Sequence, residues 1–165
     1  MNLFTTQTSD EFFGGHASAV VRGLLRRAAG CVPDERTSLL WTAHALAPDC
    51  LPVYYALYKH HTVRRELALA ARAAWRGLSE AAVQAGLPPD LRRLQSPLAV
   101  DFTRDGPARF WLFTLKALAF IHLRGGQRET ARALLATLQA CDPQARNGDE
   151  VIEALLAGTQ APPRR

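Results

Sequence analysis

The chain has few of the residues that build disulfide frameworks, and it lacks the apolar runs that build membrane spans. Of its 165 residues three are cysteines, Cys31, Cys50 and Cys141, which lie far apart and form no CxxC pair. An odd number of widely spaced cysteines argues against a disulfide framework. No apolar stretch is long enough to cross a bilayer, and the N-terminus lacks the basic start and apolar core of a secretory signal. We therefore expect a reduced, cytoplasmic protein without a membrane partner.

Sequence motifs for catalysis and cofactor binding are also missing. The chain contains no nucleophile elbow, phosphate-binding loop or paired-carboxylate motif. Its histidines form no HExxH pattern, and the adjacent His60 and His61 would diverge by about 100° on a helix, a poor arrangement for sharing a metal. The pair Gly125-Gly126 follows no predicted strand, so it indicates a turn between helices rather than a phosphate cradle. We expect no enzymatic activity, no catalytic residue, no metal and no cofactor.

Lysine is scarce, so arginine supplies almost all of the positive charge. The only lysines are Lys59 and Lys116, and the formal net charge is +5, with a sequence pI near 9.6. A nucleic-acid-binding protein more often gathers its basic residues into a stripe. Here they occur as small pairs, such as Arg26-Arg27, interleaved with acidic residues. This pattern favours an ordinary solvated surface over one that binds nucleic acid or a membrane.

What the chain has in abundance is alanine, leucine and arginine, which enter helices at little cost. Apolar residues recur at helical spacing, with glycine or proline between the runs. The pattern predicts helices over about residues 16–29, 34–46, 51–63, 65–85, 107–124, 127–141 and 149–157, and one helical turn within 90–95. Short turns make the two helices of a pair antiparallel. The sequence therefore predicts an all-α protein of three antiparallel helix pairs and a last helix.

These helices predict a single domain over residues 16–158, with a flexible lead at 1–15 and a frayed tail at 159–165. The connection at 86–106 is long and has weak periodicity. Connections of this length are unusual inside compact domains, and they are either functional or poorly ordered. We keep both interpretations, a binding loop or lid over a groove and a flexible linker.

Residue spacing in the fifth and sixth predicted helices carries a family resemblance. The first helix has a large-large-small trio, and after it come a turn glycine, a small residue in the second helix, two packing positions and a closing proline. These residues are Leu115, Leu118, Ala119, Gly126, Ala131, Leu135, Leu138 and Pro143. Leu138 stands at a position that is normally small. The segment 112–143 resembles a unit of the tetratricopeptide-repeat (TPR) family. His122 takes the place of a usual tyrosine or leucine.

A second segment, 51–84, resembles the same unit less closely. Its matching positions are Tyr54, Leu57, Ala70 and Gly77. Tyr58 departs from the pattern because it is bulky at a normally small position, and the turn near Arg65 has no glycine. Pro48 resembles the closing proline of a more degenerate unit at about 16–50. The resemblance implies helical hairpins stacked as a short, irregular TPR-like superhelix, whose register the 86–106 connection breaks.

A further resemblance lies in residues 51–59, Gly106-Pro107 and residues 110–120. These segments look like small TPR proteins encoded in bacterial nitrogen-fixation gene clusters. The resemblance implies a bacterial protein with an accessory role in assembling or protecting that system.

The TPR resemblance also implies a binding surface, because the first helices of such units normally line the concave face. The groove residues on this register are Tyr55, Lys59, Thr62, Phe113, Lys116, Phe120 and Arg124. Aromatic residues beside cations are typical of a peptide groove that favours acidic groups. The alternative is that Phe113 and Phe120 pack beneath the connection or the first helix pair. The lysine–asparagine clamp of the chaperone-tail subfamily is not expected, because the only asparagines are Asn2 and Asn147.

The sequence thus predicts a non-catalytic adaptor that binds a protein partner, with Tyr55 and Phe120 as apolar anchors. One alternative is a self-associating structural protein in which the same aromatic residues form a homodimer interface. A less favoured alternative is a basic helical protein that binds nucleic acid.

Overall fold

The computed structural model describes residues 17–94, 100–104, 106–141 and 157, and this part of the chain is all-α. Its six helices are α1 (Ala19–Gly30), α2 (Pro33–Leu46), α3 (Leu51–Val63), α4 (Leu67–Ala85), α5 (Pro107–Arg124) and α6 (Arg128–Cys141), with a 3₁₀ turn at Leu91–Arg93. The all-α prediction is confirmed. The predicted lead, the tail and the last helix lie outside the described residues, apart from Ala157, which is helical. Within the described ranges no helix has both the length and the apolar character needed to cross a bilayer.

The helix ends follow from local residue chemistry. Ser18 begins α1, and its hydroxyl accepts a hydrogen bond from the Val21 backbone N–H. Proline stands in the first turn of α2, α3 and α5, where its missing N–H costs nothing. Gly86 ends α4 in the left-handed conformation, with φ of 68°. Proline and glycine also limited the helices in the sequence pattern, whereas α1 begins at Ala19 and not at the predicted residue 16, because Ser18 caps it.

The helices form antiparallel hairpins in two layers. Thr37 and His60 are in contact at one end of α2 and α3, and His44 and Tyr54 at the other, so these two helices run antiparallel. The short turns between α3 and α4 and between α5 and α6 impose the same relation. Helices α3 and α5 meet in one layer, while α2 and α4 flank α3 from the other side. This arrangement leaves α3 with two different flanks.

The closest helix crossing lies at Gly77. A Cβ atom added to this glycine would lie 2.7 Å from Cβ of Tyr54 and 3.4 Å from the Phe110 ring. Helix α4 therefore passes close to both α3 and α5 at one point, and only glycine leaves the necessary space. The Phe110 side chain at this crossing is fully buried.

Tyr58, the residue that departs from the repeat pattern, is fully buried between α3 and α5. Its ring meets that of Tyr55 edge-on at 5.5 Å. The hydroxyls of Tyr58 and Thr114 are both buried and lie close to each other. Burial raises the pKa of the Tyr58 hydroxyl well above its usual value, an effect that the nearby Thr114 hydroxyl opposes.

The described parts of the 86–106 connection pack against the core. Leu87 is buried, and Leu91, Leu94 and Val100 are partly buried against the same cluster. The ring of Phe102 stacks on that of Trp111 at 6.0 Å. The connection is thus anchored on both sides of residues 95–99, which lie outside the described part of the chain. The interpretation of 86–106 as a flexible linker does not hold for these anchored residues.

Candidate functional site

The predicted groove residues fall on two adjacent helices. Tyr55, Lys59 and Thr62 recur at the spacing of one side of α3, and Phe113, Lys116, Phe120 and Arg124 do so on α5. The rings of Tyr55 and Phe113 are 5.9 Å apart, which joins the two rows. We call this surface, defined by those seven residues, the α3/α5 face.

The seven residues differ in how much of each side chain solvent reaches. Tyr55 is only 3% exposed, so it forms the floor of the face rather than a projecting anchor. Phe113 and Phe120 are partly buried and pack against the core cluster, whereas Arg124 is exposed. The Thr62 hydroxyl donates to the Tyr58 carbonyl oxygen at 2.7 Å, a bond within the helix itself. The most accessible side chains of the face therefore belong to its α5 row.

Two cations of the face lie beside aromatic rings. Lys59 Nζ is 5.5 Å from the centre of the Tyr55 ring, and the Arg124 guanidinium is 5.8 Å from that of Phe120. Both distances are within the range of a cation–π interaction. Burial lowers the pKa of Lys59. The face thus combines aromatic surface with positive charge on both of its helices.

The turns after α3 and α5 repeat one hydrogen-bond pattern. In each, three backbone N–H groups bond to carbonyl oxygens four, three and five residues earlier. The bonds are Arg64 to His60, Arg65 to Thr62 and Glu66 to His61 in the first turn, and Gly125 to Ile121, Gly126 to Leu123 and Gln127 to His122 in the second. Each residue of the first turn therefore has an equivalent in the second.

The side chains at these turns form a repeated tryptophan–histidine pair. The Trp41 and His61 rings are 6.3 Å apart, and the Trp75 and His122 rings are 6.1 Å apart. Trp75 Nε1 donates to His122 Nε2 at 3.2 Å, and His122 Nδ1 donates to the Gln127 side-chain oxygen. These contacts fit a neutral His122 with its proton on Nδ1.

In the first copy the histidine is bonded on one side only. His61 Nδ1 lies 2.6 Å from a Glu66 carboxylate oxygen, and Arg64 bonds the other oxygen at 2.9 Å. The hydrogen bond to His61, and after it that to Arg64, lowers the pKa of Glu66. His61 is 1% exposed, and its Nε2 makes no hydrogen bond to a described residue.

This repeat was not predicted from the sequence, although the sequence contains two signals of it. Trp41 and Trp75 are 34 residues apart, the length of one TPR unit. His61 and His122 are each followed five residues later by a residue with a side-chain carboxyl or amide oxygen, Glu66 and Gln127.

A cleft opens on the other flank of α3, about 130° around the helix from the α3/α5 face at 100° per residue. Its volume is about 360 Å³, and it is lined by Trp41, His44, Tyr54, Leu57, Leu69, Arg72, Ala73 and Arg76. We call it the Trp41 cleft. Trp41 and Leu69 are each 37% exposed. This cleft was not predicted from the sequence.

Three aromatic rings form one side of the Trp41 cleft. Trp41 meets His44 edge-on at 5.5 Å, and His44 meets Tyr54 edge-on at 5.2 Å. The Tyr54 hydroxyl donates to the Pro48 carbonyl at 2.6 Å and lies 3.3 Å from His44 Nε2. Burial, and then the charge of Arg76, lowers the pKa of His44. A neutral His44 that donates from Nε2 to Tyr54 satisfies these contacts.

The described residues contain no group of three or more histidine, cysteine or acidic side chains placed to hold a metal ion. Cys31, Cys50 and Cys141, all within the described ranges, form no disulfide with one another. No protein-family model matches the chain, and neither a curated protein nor a solved structure is significantly similar to it.

Proposed function

We propose that the protein is a non-catalytic interaction module that holds a segment of a partner protein on its α3/α5 face. The observation that carries the proposal is the pair of cation–aromatic contacts on two adjacent helices, Lys59 on Tyr55 and Arg124 on Phe120. Aromatic residues and arginine are enriched where binding energy is concentrated. The resemblance to the TPR family, whose members bind proteins through the same row of first helices, supports the same function.

The face suits an acidic, extended or helical segment. Tyr55 and Phe113 supply a buried aromatic floor, and Phe120 offers a partly open apolar contact beside Arg124. Lys59, Lys116 and Arg124 contribute three positive charges and no described residue of the face is acidic. Complementary charge speeds encounter and selects partners. Because α3 and α5 already pack against the core, their side chains lose little conformational entropy when a partner binds.

The sequence resemblance to TPR proteins of nitrogen-fixation gene clusters extends the proposal to the pathway. On that basis the partner is a cytoplasmic bacterial protein that takes part in assembling or protecting the nitrogen-fixing system. This extension is supported by sequence resemblance alone and is tested by the identity of the partner.

The experiment is affinity capture from the native cell, followed by measurement of the captured partner's dissociation constant. Lys116→Glu with Arg124→Glu should weaken binding at least tenfold, which corresponds to about 1.4 kcal/mol. The matched control is Arg26→Glu with Arg93→Glu, which makes the same charge change at exposed positions on α1 and the 3₁₀ turn. Both variants should keep the wild-type helical circular dichroism. Equal affinities for the two double variants would remove the α3/α5 face from the proposal.

The two alternatives give different results with the same proteins. A homodimer built on this face would sediment as a dimer that Lys116→Glu with Arg124→Glu converts to a monomer. A nucleic-acid-binding protein would be retained on RNA or DNA in a salt-dependent way. A protein that sediments as a monomer and passes through the nucleic-acid columns supports the adaptor.

A further inference from the structure

We propose that the Trp41 cleft is a second binding site, which takes an acidic segment of a partner protein with one bulky apolar side chain beside its carboxylates. The site is separate from the α3/α5 face, because the two surfaces lie on different flanks of α3. The proposal therefore stands or falls independently of the function assigned to that face.

The apolar part of the site lies between α2 and α4. Trp41 on α2 and Leu69 on α4 line the cleft, and each is more than a third exposed. At about 360 Å³ the cleft is at the small end of the range for ligand pockets, about 300–1,000 Å³. It therefore suits one large side chain and its neighbours rather than a whole folded surface.

The charged part of the site is carried by Arg72 and Arg76, one helical turn apart on α4. Neither forms an ion pair with a described residue, and the cleft lining contains no carboxylate. The nearest acidic residue along the helix is Glu80, which accepts a hydrogen bond from Gln84 at 2.9 Å. Two guanidinium groups beside an apolar cleft select carboxylates attached to an apolar chain.

A comparison of the two tryptophan–histidine pairs gives an independent reason to place a ligand at Trp41. Trp75 is fixed by its hydrogen bond to His122 Nε2. The equivalent Trp41 makes no such bond. His61, whose ring lies 6.3 Å from that of Trp41, is almost completely buried, and its Nε2 has no hydrogen-bond partner within the described part of the chain. The indole of Trp41 therefore has one restraint fewer than that of Trp75. It can adjust to a ligand, and a ligand that presses it toward His61 would complete the bond found in the second copy.

The occupant that fits these observations carries two carboxylates about 6 Å apart, matching the spacing of residues one helical turn apart. A leucine, phenylalanine or methionine between the carboxylates would enter the cleft between Trp41 and Leu69. His44 and Tyr54 form the polar edge of the cleft. The Tyr54 hydroxyl is already hydrogen-bonded to His44 Nε2 and to the Pro48 carbonyl oxygen. The apolar and charged contacts together favour a peptide over a free inorganic anion.

The test is selection of a random twelve-residue peptide library, displayed on phage, against the immobilised full chain. Enriched peptides should combine two acidic residues with a large apolar residue between them. Synthetic, dye-labelled copies should bind Arg72→Glu with Arg76→Glu at least tenfold more weakly than wild type, and Trp41→Ala several-fold more weakly. Replacing both acidic residues of the peptide with glutamine should cause a similar loss.

Matched variants keep the result interpretable. Arg26→Glu with Arg93→Glu should leave peptide affinity unchanged, as should the α3/α5-face variant Lys116→Glu with Arg124→Glu. If Arg72→Glu with Arg76→Glu unfolds, Arg72→Gln with Arg76→Gln replaces it. Peptide binding should also change tryptophan fluorescence in wild type and much less in Trp41→Phe.

Four outcomes would overturn the proposal. One is a selection that yields no acidic, apolar peptides. Another is a set of peptides whose affinity survives the Arg72 and Arg76 substitutions. The third is RNA retention that these substitutions abolish, which would assign the cleft to nucleic acid. Loss of peptide binding only in Lys116→Glu with Arg124→Glu would overturn the cleft and support the α3/α5 face instead.

Discussion

The α3/α4 and α5/α6 hairpins close through equivalent backbone hydrogen bonds but with different residues. The second turn has Gly125-Gly126, and Gly126 adopts a positive φ of 77°. The first has Arg64-Arg65, and Arg65 adopts nearly the same conformation with φ of 61°. A non-glycine residue accepts such a φ only when its surroundings impose it. The comparison shows that the packing of the paired helices, and not the turn residue, determines this turn.

The same hairpins differ in the polar group under each turn. His122, bonded to Trp75 and Gln127, uses both ring nitrogens, whereas His61, bonded to Glu66, uses one. The Trp75–His122 hydrogen bond links α4 to α5. The incomplete pair lies beside the Trp41 cleft.

The largest expected effect concerns Gly77, whose equivalent in α6 is Leu138. Gly77→Ala places a Cβ 2.7 Å from that of Tyr54, so α4 must move away from α3. We expect a loss of about 1–3 kcal/mol in the free energy of unfolding, measured by urea denaturation. The control is Gly23→Ala in α1, where an added Cβ would meet nothing within 4 Å. This substitution should stabilise the folded protein by about 0.5–1 kcal/mol, because alanine is the better helix former. Similar effects at the two sites would contradict the close crossing.

The second prediction separates the two tryptophans. Trp75→Phe removes the donor to His122 Nε2 and should cost about 1–2 kcal/mol, since it also leaves a partly buried acceptor unpaired. Trp41→Phe removes no such hydrogen bond and should cost less than about 0.5 kcal/mol. Urea denaturation of both variants measures the difference. Equal losses in the free energy of unfolding would contradict the difference between the Trp41–His61 and Trp75–His122 pairs.

The third prediction exchanges the turn residues. Arg65→Gly should stabilise the protein by about 0.5–1 kcal/mol, because glycine adopts positive φ without strain. Gly126→Ala should destabilise the protein by about 1 kcal/mol, because alanine is strained at a positive φ. The added Cβ would meet no other atom within 4 Å, so the loss would come from the backbone conformation alone. Thermal denaturation compares both with wild type. A destabilised Arg65→Gly would show that the arginine side chain contributes more than its backbone conformation costs.

The smallest effect is a pH dependence that arises from histidines on α2 and α3. Burial is the main cause that lowers the pKa of both His44 and His60. The unfolded chain therefore binds protons that the folded chain does not. Stability is fully present above pH 6.5 and is lost as the pH falls from there through the lower folded values.

His60→Gln should flatten part of this pH dependence. The neutral side chain can still bond Thr37, whose hydroxyl lies 2.8 Å from His60 Nε2. Urea denaturation at pH 7.5, 6.5 and 5.5 measures the slope. If the free energy of unfolding of the wild type stayed constant or increased as the pH fell from 7.5 to 5.5, the direction of both pKa shifts would be wrong.

The helices could be predicted from the sequence because their limits depend on single residues. Ser18, the prolines of α2, α3 and α5, and Gly86 act within one turn of where they stand. Burial of Tyr55 could not be predicted in this way. Periodicity places Tyr55 on a side of α3, but only the contact with Phe113 on α5, 58 positions later, covers it. Its assignment as an anchor used the register of the TPR resemblance, which does not specify how deeply a side chain is buried.

The Trp41 cleft depends even more on tertiary structure. Trp41, Leu69 and Arg72 come from α2 and α4, and neither helix alone distinguishes a cleft-lining residue from a solvated one. The 34-residue spacing of Trp41 and Trp75 indicated that the two were equivalent. It gave no sign that one indole would be bonded and the other not, since that difference depends on how far neighbouring hairpins separate.

Backbone hydrogen exchange with and without the captured partner tests whether the partner binds on the α3/α5 face. We expect slower exchange in residues 51–63 and 107–124 and little change in α1, because binding on this face stabilises the two helices that form it. Slower exchange confined to α1 and α6, with α3 and α5 unchanged, would show that the partner binds elsewhere.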